Sequence, residues 1–274
     1  MKIPFLALLV FTTAAGLSPA LADAPSCADA ARAVLSQAYP TAVPSADGQQ
    51  LLLAGRFAIE LPSEGIGSPH ETVCKIWPAR PDLLLMAVPL IDTKQSTEDE
   101  NFGDLDLLVV DAKTREIRQR LRQPGLMEDD AVAIKGIEFD TAAYRLKPDL
   151  LAFGLRIKAG NYSAAAPLSE TSLLLYVVEN GRLRGILDRF YVTSSTSERG
   201  GDCVGQSENE ALTLTMGGAG RDGYRDIVMT EMGTAEADHL GKDGACLTRV
   251  THRSKKTYSL GYDGTRYVLP KGLK

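Results

Sequence analysis

The chain is poor in the side chains on which most enzymes and metal proteins rely. Its three histidines, His70, His239 and His252, are scattered, and no two of its four cysteines are close in sequence. Zinc sites draw on closely spaced Cys and His pairs, so this pattern argues against one. No Gly-x-Ser-x-Gly elbow, no His-Glu-x-x-His and no Ser-x-x-Lys with its partner motifs occurs, which removes the common signatures of serine hydrolases, zinc proteases and penicillin-binding enzymes. Positive charge is also short. With 30 basic against 35 acidic residues the net charge is -5, the wrong sign for a nucleic-acid partner. No apolar run after the first residues approaches the length of a membrane span, about 20 residues, and aromatic side chains make up 6% of the chain, with Trp77 the single tryptophan.

What is present begins with a leader-like N-terminus. Lys2 precedes Ile3-Pro-Phe-Leu-Ala-Leu-Leu-Val-Phe, and small residues then lead to Ala20-Leu-Ala22. A charged start, a short apolar stretch and an A-x-A site are the marks of an export signal, so residues 1–22 are expected to be removed after Ala22. The stretch is broken by Gly16 and Pro19, too soon for a spanning helix of about 20 apolar residues. Cys27 follows Ala-Pro-Ser rather than the leucine-led lipobox of lipoproteins. The expected product is a soluble periplasmic or secreted protein with no membrane span, divided into an N-terminal helix and linker (23–48) and a β-rich domain (49–274).

Export gives the cysteines a meaning. Cys27, Cys74, Cys203 and Cys246 are even in number, as in disulfide frameworks of oxidising compartments, and three connectivities are possible. The expected pairs are Cys27–Cys74 and Cys203–Cys246, each clipping neighbouring segments. Ser26 with Asp29 resembles a capping box, alanines and leucine favour helix, and Pro40 ends it. A helix over Ser26–Tyr39 therefore carries Cys27 in its first turn and packs as a clasp on the rest.

From Gln49 onward short apolar runs alternate with turns. Leu51–Leu53, Phe57–Leu61, Val73–Trp77, Leu83–Val88, Leu105–Asp111, Glu116–Arg122, Ala133–Asp140, Leu150–Lys158, Ser172–Val178 and Arg182–Val192 read as strands. Asn180-Gly181 and Asp263-Gly264 are hairpin turns, since both turn positions must tolerate positive φ; the second joins Thr257–Tyr262 to Arg266–Leu269. Asp140–Leu146 reads as a turn. The polar stretches Gly160–Pro167, Ser194–Glu210 and Gly233–Gly244 read as long loops. The fold class expected is all-β, with meandering antiparallel sheets, propeller-like or sandwich, and one N-terminal helix.

An aspartate before a buried-looking run recurs at Asp82, Asp106, Asp149 and Asp226. This element resembles the strand entry of FG-GAP and VCBS-type β-propeller repeats, in which an acidic loop, often calcium-binding, leads into Leu-x-Val. Glu98-x-Glu100-x-Phe102-Gly-x-x-Asp106 and Gly218-x-Gly220-x-Asp222-Gly-x-x-Asp226 are similar to that loop, with Phe102 where an oxygen ligand is expected. The resemblance implies blade-like sheets and a calcium site at Glu98, Glu100 and Asp106 or at Asp222 and Asp226. Neither copy supplies the six or more oxygens calcium takes.

Three functions from different classes follow. The first is a protein-binding module of the envelope, an inhibitor or immunity-type protein, with Tyr162, Tyr191 and Tyr224 as anchors at loop tips. The second is an envelope hydrolase using carboxylates near Asp202, Glu208 and Glu210 about 5–10 Å apart, or His70 as a base. The third is a structural calcium-binding β-repeat protein. Arg118, Arg120 and Arg122 share one strand face, a stripe that serves either as a solvated edge or as a seat for an acidic partner.

Overall fold

The computed structural model describes residues 27–273 apart from Glu64, Ile66, Asp202 and Gly272. The expected leader, its cleavage after Ala22, the Ser26 cap and Asp202 lie outside the described residues. Among them is one α-helix, α1 (Cys27–Ala38), followed by fourteen strands. Helix α1 buries Ala30, Ala31, Val34 and Leu35, a spacing that puts one apolar stripe on one side of a 3.6-residue repeat.

The first sheet contains β1 (Val43–Pro44), β2 (Gln50–Leu53), β3 (Phe57–Glu60), β4 (Val73–Trp77), β5 (Arg80–Asp92), β6 (Gly103–Asp111) and β7 (Ile117–Gln123). Its order is β1-β2-β3-β5-β6-β7, with β4 also paired to β5. In β5 and β6 both faces are buried. Leu84, Met86, Val88, Leu90, Leu108 and Val110 pack on α1, and the alternate residues Leu83, Leu85, Ala87, Leu105, Leu107 and Val109 face the second sheet. A strand covered on both sides needs a continuous apolar run instead of alternation. Each such leucine contributes about 1.5–3 kcal/mol by leaving water.

The second sheet is a plain meander of β8 (Ala133–Lys147), β9 (Leu150–Gly160), β10 (Leu168–Glu179), β11 (Arg182–Arg199), β12 (Gly205–Ala219), β13 (Arg225–Leu240) and β14 (Cys246–Leu260). One face supplies Phe139, Phe153, Leu155, Ile157 and Tyr176 to the core shared with the first sheet. There Trp77 meets Phe153 edge-on, 5.4 Å between ring centres, and is 3% exposed, a buried plug at its strand end. The sheet then curls over itself: Leu173, Leu175, Val177, Ile186 and Phe190 pack against Ile227, Met229 and Leu260 from its far strands. Register shifts between β10 and β11 beside Thr171, Leu173 and Leu175 supply the bend, since an extra residue on one strand increases local twist.

The fold is thus an all-β sandwich of two seven-stranded antiparallel sheets with one N-terminal helix, not a ring of blades. Both expected disulfides form, Cys27–Cys74 and Cys203–Cys246, each with a Cα separation of 5.5 Å. Asn180 and Gly181 have φ of 51° and 69°, the positive pair a tight hairpin turn requires.

Several local expectations are corrected. Asp140–Leu146 is not a turn; it continues β8 through a register shift between Asp140 and Tyr144. Ser194–Glu210 and Gly233–Gly244 are mostly strand, belonging to β11, β12 and β13. Their side chains are small, polar and wet, so no apolar alternation marks them. The Asp263-Gly264 hairpin reduces to a single Tyr262–Tyr267 bridge, because both tyrosines are drawn into the core and Tyr267 donates its N–H to the Ile186 carbonyl at 2.8 Å.

Candidate functional site

Two surfaces stand out once the chain is folded. The first is a ribbon. Beyond Ser194 the strands β11 to β14 outrun the core, pairing Ser194 with Glu210, Glu210 with Gly233 and Gly233 with Ser254. Every β14 residue from Cys246 to Arg253 is exposed, so both faces of that part meet solvent. The Cys203–Cys246 bridge closes the ribbon's tip. Of the large apolar side chains exposed among the described residues, Val204, Leu240, Leu247 and Val250 lie on this ribbon and Met232 at its base, and only Val43, Tyr162 and Val268 lie elsewhere.

The second is an acidic trough. A cavity of about 350 Å³ opens where the 100–102 and 128–132 loops of the first sheet meet the face of the second, with Phe102, Ile134 and Ile157 as its apolar wall. Glu100, Glu128, Asp130 and Glu170 line it opposite the single cation Arg189. A neighbouring depression of about 570 Å³ shares Glu170 and Tyr191 and extends to Glu210, Glu231, Lys256 and Tyr258. Strand register carries one into the other, since Glu170 lies opposite Ser194 and Ser194 opposite Glu210.

Some of these acids are already engaged. Asp129 accepts from Asn101 Nδ2 at 2.7 Å and from the Ile134 N–H at 2.8 Å, and lies 3.2 Å from His70 Nε2. It ties three loops together, and His70 is the strut's third leg. Glu231, 5% exposed, accepts from Lys256 at 2.9 Å and Tyr258 at 3.1 Å. The Tyr191 hydroxyl is raised above its ordinary pKa by burial and by its hydrogen bond to Glu170, so it stays a neutral donor at neutral pH.

The residues singled out from sequence separate. Glu98 and Glu100 are exposed in their loop, and Glu100 reaches the trough. Asp106 is wholly buried; its Oδ2 accepts from the Tyr39 hydroxyl at 2.6 Å and from Arg120 Nε at 3.1 Å. The strand carries its carboxylate under α1, and it pairs there instead of joining Glu98 and Glu100. Asp222 is exposed in a 3-10 turn at φ 55°, and Asp226 accepts from Ser259 Oγ at 3.4 Å. Among the described residues no three His, Cys, Asp or Glu side chains are grouped so as to hold a metal.

The tyrosines also part company. Tyr162 is 83% exposed, with Lys135 Nζ over its ring, and Tyr191 lines the trough. Tyr224 is no surface anchor: it is 2% exposed, stacks on Tyr262 at 3.8 Å and donates to Glu179 at 2.7 Å. Ring contacts with Tyr262 and Tyr267 hold it in the core. The arginine stripe is matched by β6 and its turn, with Arg118 on Asp111 at 2.8 Å, Arg120 on Asp106 and Arg122 on Asp104 at 2.7 Å.

Glu170 and Arg189 escaped the reading of the sequence. Their one signal is a polar residue at alternate positions beside an apolar run, as in Glu170-Thr-Ser172 before Leu173 and Arg189-Phe-Tyr191 before Val192. The two disulfides fit an oxidising environment, and no helix among the described residues is long and apolar enough to cross a membrane. Comparison with protein-family models, with curated proteins and with solved structures finds no match to this chain.

Proposed function

We propose that this chain is an exported binding module of the inhibitor or immunity-protein kind, which leaves its signal peptide after Ala22 and engages another protein of the envelope through the β11–β14 ribbon. One observation carries the reading: most of the exposed large apolar side chains gather on, or at the base of, a wet ribbon whose tip is pinned by Cys203–Cys246. Isolated surface apolar residues are ordinary, but a concentration of them on one element marks an interaction surface. A cross-linked ribbon loses little conformational entropy on binding, which favours affinity.

The test compares capture from envelope extract by the mature protein and by a Met232→Asp, Val250→Asp variant. A stoichiometric partner retained by the first and lost by the second supports the reading. The same partner retained equally by both sinks it, as does the absence of any.

The trough favours a second reading, hydrolysis at carboxylates, because Glu170 and Glu210 face a cavity of substrate size across Ser194. Turnover of envelope glycans that disappears in Glu170→Gln would establish it.

A further inference from the structure

We propose that the free edge of β14 receives an extended acidic segment of the partner protein as an additional strand. This rests on the binding reading above and names the chemistry of the partner. β14 ends its sheet, with β13 on one side and, among the described residues, no strand on the other, so its outward N–H and C=O groups are a template for strand addition. The strand runs 15 residues, and residues 246–253 are exposed.

Charge selects the occupant. Arg249, Arg253 and Lys255 stand on β14, and none is paired with a carboxylate among the described ion pairs, whereas Lys256 is held by Glu231. The register places Lys255 beside Met232 and Arg253 beside Thr234, with Val250 opposite Glu236 farther along. Arg253 and Lys255 are thus neighbours on the face that also carries Met232 and Val250, at the edge of a molecule whose net charge is -5. A second copy is a poor occupant, since antiparallel pairing of two β14 edges sets these cations against each other, and like charges across strands are destabilising. A strand with acids at alternate positions meets Arg253 and Lys255 as ion pairs on the face they share, and its intervening side chains fall on the opposite face, beside Ser254 and His252. The register shift between Ala235 and Glu236 interrupts the edge at Thr251, so the uninterrupted stretch begins at His252.

The test is titration of the disulfide-intact protein with a capped peptide alternating glutamate and valine, beside a lysine–valine control, read by calorimetry and by amide hydrogen exchange. The glutamate peptide is expected to bind, to lose affinity with added salt, and to protect amides from His252 to Thr257. An Arg253→Glu, Lys255→Glu variant, altered only at exposed positions, is expected to bind it about tenfold more weakly. No binding, equal binding by the variant, or protection confined elsewhere overturns the proposal and leaves the basic edge as a guard against self-pairing. Capture separates this from the broader reading. If the variant retains the captured partner fully while Met232→Asp, Val250→Asp loses it, the acidic-strand proposal fails and the binding reading stands.

Discussion

The Tyr39 hydroxyl donates a 2.6 Å hydrogen bond to Asp106 Oδ2, joining the residue just past α1 to the middle of β6. Arg120 completes the group, with its guanidinium over the Tyr39 ring at 4.8 Å and Nη1 on the Ala38 carbonyl at 3.0 Å. One buried carboxylate thereby fixes the end of the helix to the sheet, opposite the end fixed by Cys27–Cys74. Tyr39→Phe removes the donor and keeps the ring, and a hydrogen bond to a charged group is worth about 1.5–3 kcal/mol. Denaturant titration should show a loss of that size, larger than for Tyr162→Phe at its 83% exposed site.

Tyr176 offers the opposite case. Its hydroxyl is buried and has no hydrogen-bond partner among the described residues, so its desolvation is uncompensated. Tyr176→Phe should leave stability unchanged or raise it by about 1 kcal/mol. A loss above that in the same titration would show that the hydroxyl is satisfied in solution.

The two disulfides should differ in reach. Cys27 and Cys74 are 47 residues apart, Cys203 and Cys246 43, and the chain-entropy relation gives about 4 kcal/mol for either loop. The first joins α1 to the core, so Cys27→Ala, Cys74→Ala should lower global stability. The second closes a solvent-exposed ribbon, so Cys203→Ala, Cys246→Ala should speed amide exchange first in β11–β14 beyond Ser194. Uniform acceleration over both sheets would contradict that division.

Acid should weaken the fold in a defined window. Burial pushes the Glu179 carboxyl up, but hydrogen bonds from Arg184, Tyr224 and Lys147 outweigh it and hold the group at about 2, below its ordinary 4.5. Asp140 is lowered likewise, its burial outweighed by the Ala142 N–H, Arg156 and Tyr144. A depressed carboxyl stabilises above its unfolded pKa, and that contribution is lost as pH falls through the folded value. Stability should therefore fall between about pH 4.5 and 2, and Glu179→Gln should flatten the slope. At the other end Tyr39 and Tyr144 are raised by burial and by Asp106 and Asp140, so stability should be lost above about pH 10.

Calcium should not matter to the 98–106 loop. Asp106 is committed to Tyr39 and Arg120, and two exposed glutamates are a poor set for an ion that takes six or more oxygens. Thermal unfolding in calcium and in chelator should coincide; a shift of several degrees would show a site built from other residues.

Features set by local chemistry were legible in the residues themselves. The helix over Cys27–Ala38, the Asn180-Gly181 turn and the doubly buried runs of β5, β6 and β10 follow from propensity, positive φ and apolar continuity, all of which act within a few residues. The disulfide pairs were legible too, because each joins segments that chain proximity already favours. Ser194–Glu210 and Gly233–Gly244 were not, since a strand wet on both faces has no buried side to impose a period of two. The trough and the fate of Asp106 depended on register between distant segments: Glu170 meets Ser194 across a bulged pairing, and Asp106 meets Tyr39 67 residues away. Composition and spacing determined the class of fold and its cross-links. Which acids face solvent, which tyrosine is core and where the ribbon leaves the sandwich were decided only by tertiary packing, because a one-residue shift in register turns every side chain to the other face.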